Sequence, residues 1–164
     1  MTRIGVLSDT HGYIHPRVSD FFSSCDMIIH AGDIGSENVA EKLSAIKPLK
    51  AVYGNIDGGK LRILFKEVEI IKVEEIKILV KHIGGYPKNY NTQSKNLIRY
   101  HKPDIFIAGH SHILKVMFDD ENQLLYINPG AAGKSGFHKN ITFLRFAVDG
   151  KDIRDLEVFD AKRV

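Results

Sequence analysis

Ile4-Gly5-Val6-Leu7-Ser8-Asp9-Thr10-His11-Gly12 is a nearly continuous apolar run that ends abruptly in a carboxylate, an imidazole and a glycine. An apolar run without polar alternation reads as a strand buried on both faces, the pattern of a parallel sheet covered by helices. Two metal-type ligands at its carboxyl end stand where such sheets collect their ligands. The pattern then repeats. Asp26 to His30 is a second short strand running into Gly32-Asp33, and Leu49 to Tyr53 a third, closed by Gly54-Asn55. Between them, His15-Pro16 opens a helix with Val18, Phe21 and Phe22 on one face. Ser36 caps another through Val39, Ala40, Leu43 and Ile46, which Pro48 stops. This strand–helix rhythm predicts right-handed parallel crossovers.

From Lys60 the texture changes. Leu61 to Phe65 fits helix or strand, whereas Val68 to Val73 and Ile76 to Lys81 read as two strands joined at Glu74-Glu75, the second ending at His82. Thr92 to Tyr100 is a helix, and Asp104 to Ala108 is an apolar strand ending in Gly109-His110-Ser111-His112. Two hairpins follow, Leu114 to Phe118 with Leu124 to Ile127, and Ile141 to Val148 with Ile153 to Phe159, separated by a glycine-rich loop from Asn128 to Asn140. No repeat, low-complexity tract or linker interrupts this, so residues 1–164 are expected to form one domain with two sheets.

With 164 residues, 43% of them apolar and 26% charged, the chain has ordinary globular composition and enough length for a core without staples. The single cysteine, Cys25, precedes an apolar run and reads as a small buried hydrophobe; it favours a reducing compartment. The amino terminus is too short in apolar residues for a secretory signal, and no stretch has the length of a membrane helix. The expectation is a cytoplasmic protein with no membrane contact. Its formal charge of +3 is dispersed, without the basic stripe that a nucleic-acid substrate calls for.

Seven ligand-capable residues gather at five strand-to-loop junctions: Asp9, His11, Asp33, Asn55, His82, His110 and His112. Singly each has a bland explanation; together they use half of the eight histidines in the chain. Carboxylate and imidazole without thiolate suit Mn, Fe, Zn, Ni or Co better than Mg or Ca. A centre with ions about 3.5–4 Å apart needs a shared ligand, and Asp33 is the central candidate. Two such ions polarise a phosphoryl group and lower the pKa of a bridging water, so that hydroxide exists near neutral pH.

The ordered series Asp9-x-His11, Gly32-Asp33, Gly54-Asn55-x-Asp57, His82 and Gly109-His110-x-His112 resembles the calcineurin-like metallophosphoesterases, in particular their small prokaryotic phosphodiesterases. The resemblance runs from Ile4 to about Gly130 and includes Asn128-Pro129-Gly130. It implies an α/β fold, a four-layer αββα sandwich of two mixed sheets flanked by helices. It also implies a phosphodiesterase acting through a metal-bridging hydroxide at a dinuclear centre. One ion would take Asp9, His11, Asp33 and His112, the other Asp33, Asn55, His82 and His110, which makes Asp33, Asn55 and His82 the candidate catalytic residues.

Two positions depart from that pattern. Relatives often carry a histidine after the asparagine as general acid, where this chain has Ile56; Asp57 is either a substitute or a turn carboxylate. Relatives also read His-Gly-His where this chain has His82-Ile83-Gly84-Gly85-Tyr86, which makes Tyr86 a candidate for the substrate wall. Lys134 and His138 either hold an anionic substrate or belong to a surface loop. His30 either orients a ligand or simply ends a strand, and His15 and His101 need no role beyond helix ends. The expected partner is a small phosphorylated substrate, with a homo-oligomer contact through Val158 and Phe159 as a further expectation. The rival reading is a protein-interaction scaffold on the same fold.

Overall fold

The computed structural model describes all residues, 1–164. The strands are β1 (Thr2–Leu7), β2 (Met27–His30), β3 (Leu49–Ala51), β4 (Val68–Val73), β5 (Ile76–Lys81), β6 (Ile105–Ile107), β7 (Leu114–Asp119), β8 (Leu124–Pro129), β9 (Asn140–Asp149) and β10 (Asp152–Lys162). The helices are α1 (Val18–Phe22), α2 (Glu37–Ile46), α3 (Lys60–Leu64) and α4 (Thr92–His101). They build two five-stranded mixed sheets, one in the order β10-β9-β1-β2-β3 and the other β4-β5-β6-β8-β7. Within them β1, β2 and β3 run parallel, as do β5, β6 and β8, while β9, β10, β4 and β7 are antiparallel additions.

The continuous apolar runs are explained by layering, because successive side chains of a strand point to opposite faces. Ile4 and Val6 of β1, Ile29 of β2, Ile78 and Val80 of β5, Ile105 and Ile107 of β6, and Leu144 and Phe146 of β9 form one buried cluster between the sheets. Their neighbours face outward: Ile28 and Phe143 join Val18, Phe22, Val39 and Leu43 under α1 and α2. Leu79 and Phe106 join Tyr90, Ile98 and Tyr126 under α4. The central strands of both sheets are therefore buried on both faces, while the edge strands β7 and β10 stay largely exposed, and the four-layer αββα sandwich follows.

Some boundaries differ from the expectation. The helix after His15-Pro16 has only five residues because His15 is held by its own turn, its Nδ1 accepting the Arg17 N–H at 3.1 Å, while its ring packs 5.1 Å from Phe159. Leu61 to Phe65 is helical over Lys60–Leu64, with Leu61 buried. The two late hairpins divide between sheets, β7–β8 extending the second and β9–β10 the first. Phe159 stacks on Phe143 at 4.4 Å and is half-buried, while its neighbour Val158 is exposed. Cys25 is buried, and burial pushes its thiol pKa up, the unreactive state. No helix is long and apolar enough to cross a membrane.

Candidate metal centre

The carboxyl ends of β1, β2, β5 and β6 meet at one edge of the sandwich, laced together by backbone. Asp9 N–H donates to Gly32 O at 2.9 Å, His11 N–H to Asp33 O at 3.0 Å, Gly109 N–H to His82 O at 3.0 Å and Gly133 N–H to Asp9 O at 3.0 Å. This lacing brings residues that lie a hundred positions apart into one cluster. Two groups result, Asp9 with His11 and His112, and Asp33 with His82 and His110, the ligand atoms of each lying within 4.8 Å of one another.

Asp9 is fully buried, and its two oxygens are used differently. Oδ2 accepts the Ser8 hydroxyl at 2.6 Å and the His110 N–H at 3.1 Å. Oδ1 has no hydrogen-bond partner and faces His112 Nε2 at 3.1 Å and His11 Nε2 at 3.8 Å. Asp33 repeats the division: Oδ1 accepts the Ile56 N–H at 3.1 Å, whereas Oδ2 lies 3.4 Å from His11 Nε2 and 3.3 Å from His82 Nε2. That single oxygen touches a histidine of each group. His82 donates Nδ1–H to Ala31 O at 2.7 Å, which leaves Nε2 as a lone pair facing inward. Asn55 Oδ1 stands 3.1 Å from His82 Nε2 and 3.1 Å from His110 Nδ1. All seven residues singled out in the sequence are thus brought together.

Two glycines make room for this packing. Gly32 has φ +101, and a Cβ there would fall 2.6 Å from the His82 ring. At Gly54 a Cβ would overlap the Asp33 carboxylate and amide. The ligand residues themselves carry backbone strain, since Asp9, His11, Asp33, His110 and His112 all have φ between 46 and 72. Left-handed backbone at a non-glycine residue costs on the order of 1–3 kcal/mol and gathers where function demands it. Nothing in the residue types announced this.

The charges of the cluster act on one another in carboxylate–imidazole pairs. Burial works against the Asp9 carboxylate, yet the imidazoles of His11 and His112 hold its pKa far below the carboxylate range. Asp33 is likewise lowered against its burial, by His82 and the Ile56 N–H. The Asp9 carboxylate raises the pKa of His11, and Asp33 and Asp9 raise that of His82 although burial opposes it. These contacts keep both carboxylates ionised, the form in which they can hold a cation.

A divalent ion fits these residues. Asp9 Oδ1 and His11 Nε2 are both buried without partners, at a cost of about 1–3 kcal/mol each unless something satisfies them. Ligands held about 2.1 Å from an ion stand roughly 3.0–3.4 Å apart. The separations of 3.1 Å for His112–Asp9 and 3.3 and 3.4 Å for Asp33 with its two histidines fall in that range.

Four further residues take distinct places. Asp57 is only 3% exposed, and its carboxylate accepts the N–H groups of Ile34, Gly35 and Gly54 at 3.1, 2.9 and 2.8 Å. It is turned away from the cleft and pins the Asp33 loop to the Asn55 loop, so the substrate role considered for it gives way to the turn carboxylate. His138 is likewise occupied on both nitrogens, Nδ1 against His112 Nδ1 at 3.1 Å and Nε2 donating to Gly133 O at 2.7 Å. It braces His112 rather than reaching for substrate. Lys134 is exposed with its ammonium 4.6 Å from the Tyr13 ring, and Tyr86 stands beside His110 in the wall of a neighbouring cavity.

For His30, the alternatives of orienting a ligand or simply ending a strand resolve toward a positioning role. It is buried and pushed down to about 4 by burial, hence neutral. Its Nδ1 accepts the Gly32 N–H at 3.0 Å, and Nε2 donates to Thr10 Oγ1 at 2.9 Å while the Thr10 hydroxyl donates to Ile34 O at 2.8 Å. It thereby fixes the Asp9–His11 loop against the Asp33 loop; its place next to Gly32-Asp33 was the available signal.

The family model for the calcineurin-like phosphoesterase superfamily domain matches residues 2–151. The chain belongs to the calcineurin-like phosphoesterase superfamily. A probable metallophosphoesterase of Methanocaldococcus jannaschii is 34% identical over 134 residues, covering 78% of this chain and 67% of that protein. One from Methanothermobacter thermautotrophicus is 29% identical over 133 residues, covering 78% and 76%. Among solved structures, an archaeal phosphodiesterase superimposes with a TM-score of 0.71 at 22% identity, covering 96% of this chain and 99% of that one. Vps29 from Entamoeba histolytica, complexed with zinc, does so with a TM-score of 0.75 at 17% identity, covering 99% of each chain. At these identities the two structures speak for the fold alone.

Proposed function

We propose that this phosphoesterase-family chain is a dinuclear metal-dependent phosphodiesterase for small phosphorylated substrates. The observation that carries the reading is Asp33 Oδ2, within 3.4 Å of His11 Nε2 and 3.3 Å of His82 Nε2. One ion would be held by Asp9, His11, Asp33 and His112, the other by Asp33, Asn55, His82 and His110, with Mn, Ni, Fe, Zn or Co suiting the donors. When bound, the pair supplies Lewis acidity to the phosphoryl oxygens and acidifies water near neutral pH.

The chain's own residues do the rest. Asp33 joins the two groups and, with Ile56 N–H on its outer oxygen, keeps the inner one aimed between them. The Ala31 carbonyl fixes the tautomer of His82. Asn55 would turn its Oδ1 to the same ion as His82 and His110, 3.1 Å from a ring nitrogen of each, leaving its Nδ2–H donors to orient a non-bridging phosphate oxygen. Hydroxide derived from water attacks phosphorus in line with the leaving ester oxygen, forming the new P–O bond as the old one breaks, and the leaving oxygen departs as the anion and takes its proton from solvent. Ile56 occupies the place of the usual histidine acid and Asp57 is sealed in its turn, so neither protonates the leaving oxygen.

The scaffold reading fits the centre less well. Donors converging in two groups, with Asp9 Oδ1 and His11 Nε2 buried and unpartnered, are more than a binding surface calls for. The test is hydrolysis of bis(p-nitrophenyl) phosphate by Mn- or Ni-loaded protein. Turnover that Asp33→Asn abolishes is expected; wild-type rates in Asp33→Asn would refute the mechanism.

A further inference from the structure

Beside the centre, on the His110 side, opens a cavity of about 640 Å³ with an unusual lining for a surface cleft. Its inner surface is Tyr90 and Tyr126, both buried, and its rim is Ile83, Tyr86 and Ile113, which are 39%, 44% and 63% exposed. None of its 13 lining residues is a carboxylate, and its one ammonium, Lys115 Nζ, lies 4.6 Å from the Tyr86 ring centroid. His110 lines this cavity and also belongs to the metal-ligand cluster, so the two adjoin.

The cavity is built rather than incidental. The loop after β5 is tied from several sides: the Tyr126 hydroxyl donates to Gly85 O at 2.6 Å, Asn91 Nδ2 to Ile83 O at 2.7 Å, and Asn89 N–H to Tyr86 O at 2.8 Å. The Tyr90 hydroxyl donates to Asp119 at 2.8 Å. Both inner phenols have therefore spent their hydroxyls on protein acceptors, and the cavity offers ring and aliphatic surface. Its size lies within the roughly 300–1,000 Å³ of small-molecule sites, which combine apolar walls with few polar groups. The exposed Tyr86 ring, backed by the edges of the buried Tyr90 and Tyr126, favours a flat aromatic partner through offset or edge-on contacts, and the cation over Tyr86 suits an electron-rich ligand. The absence of carboxylates spares the attached anionic phosphate any repulsion.

We infer that this cavity is a subsite for a planar, uncharged aromatic ester group of the substrate, with Tyr86 and Ile113 as its specificity-determining residues. The inference rests on the phosphodiesterase reading for the position of the phosphorus. It converts the departure after His82 into a gain: Tyr86 stands on a loop widened by two glycines.

Two arms test it. In the first, Mn-loaded protein is titrated calorimetrically with phenylphosphonate and methylphosphonate, neither of which has a cleavable ester. The phenyl compound should bind about five- to tenfold more tightly, the scale of one aromatic contact with its buried area. That ratio should fall toward one in Tyr86→Ala and in Ile113→Ser, both rim positions whose loss spares the core. In the second arm, kcat/KM is compared for phenyl p-nitrophenyl phosphate and methyl p-nitrophenyl phosphate, which share a leaving group, and the phenyl preference should shrink in the same variants. Equal binding of the two phosphonates by wild-type protein, or a preference that survives both substitutions, overturns the subsite. If neither diester turns over, the phosphodiesterase reading fails by itself, and the phosphonate ratio still decides the cavity.

Discussion

Asp57→Ala removes an acceptor that holds two loops of the centre together without touching its interior. The carboxylate takes three backbone N–H groups, from Ile34 at 3.1 Å, Gly35 at 2.9 Å and Gly54 at 2.8 Å, at a position only 3% exposed. A hydrogen bond to a charged group contributes about 1.5–3 kcal/mol, and a buried donor left unpaired costs about 1–3 kcal/mol. The three share one carboxylate and do not add, and water reaches the exposed Gly35 side, so the loss is set at about 4 kcal/mol. For a chain of this size 1 kcal/mol moves the melting temperature by about 2–4 °C, which places the drop at roughly 8–16 °C. The assay is thermal unfolding of metal-free protein followed by circular dichroism, since bound metal adds its own stabilisation. Asp57→Asn, which keeps one acceptor oxygen, should lose about half as much. A shift below 2 °C in Asp57→Ala would refute the structural role. So would a full-stability Asp57→Asn protein whose rate loses its alkaline limb, the signature of a general acid.

Three other perturbations probe the supports of the centre. His138→Leu should weaken metal binding by about 10–100-fold through misorientation of His112, while His138→Gln, able to accept and donate along the same line, should recover most of it; competition with a chromogenic chelator reads both. His30 has a folded pKa of about 4 against an unfolded value near 6.5, so the unfolded chain takes up more protons between those values. Stability present above pH 6.5 is lost as pH falls toward 4, on the order of 2 kcal/mol between pH 7.5 and 5. Metal-free His30→Gln, which cannot titrate there, should be the less stable protein at pH 7.5 but lose less on acidification in urea melts, and parallel pH slopes would contradict this. Gly54→Ala drives a methyl group into the Asp33 carboxylate and amide, so elemental analysis should find the shared position emptied, and a full metal complement would show that the loop yields.

Much of this could be read from the residues because the signals were local. Apolar runs without alternation marked strands dry on both faces, and Ile4, Val6, Ile78, Val80, Ile105 and Ile107 do meet between the sheets. The candidate ligand positions were legible because each lies in the loop at the carboxyl end of its strand. What escaped depends on distant partners. Which sheet a hairpin joins is settled by packing, so β7–β8 and β9–β10 could not be assigned from their own residues. A five-residue helix such as α1 is fixed by Val18 and Phe22 in the core, not by propensity. Asp57 and His138 looked like chemistry because both sit in glycine-rich loops near ligands; only their hydrogen bonds show that they hold the loops. The left-handed backbone at five ligand positions has no residue signature, since Asp and His tolerate that conformation without requiring it.

Anomalous diffraction from crystals of the Mn-loaded protein reads the shared role of Asp33 without passing through catalysis. Two peaks about 3.5–4 Å apart are expected, with the Asp33 carboxylate between them, Asp9, His11 and His112 around one, and Asn55, His82 and His110 around the other. A single peak, or two of which Asp33 ligates only one, would contradict the dinuclear centre.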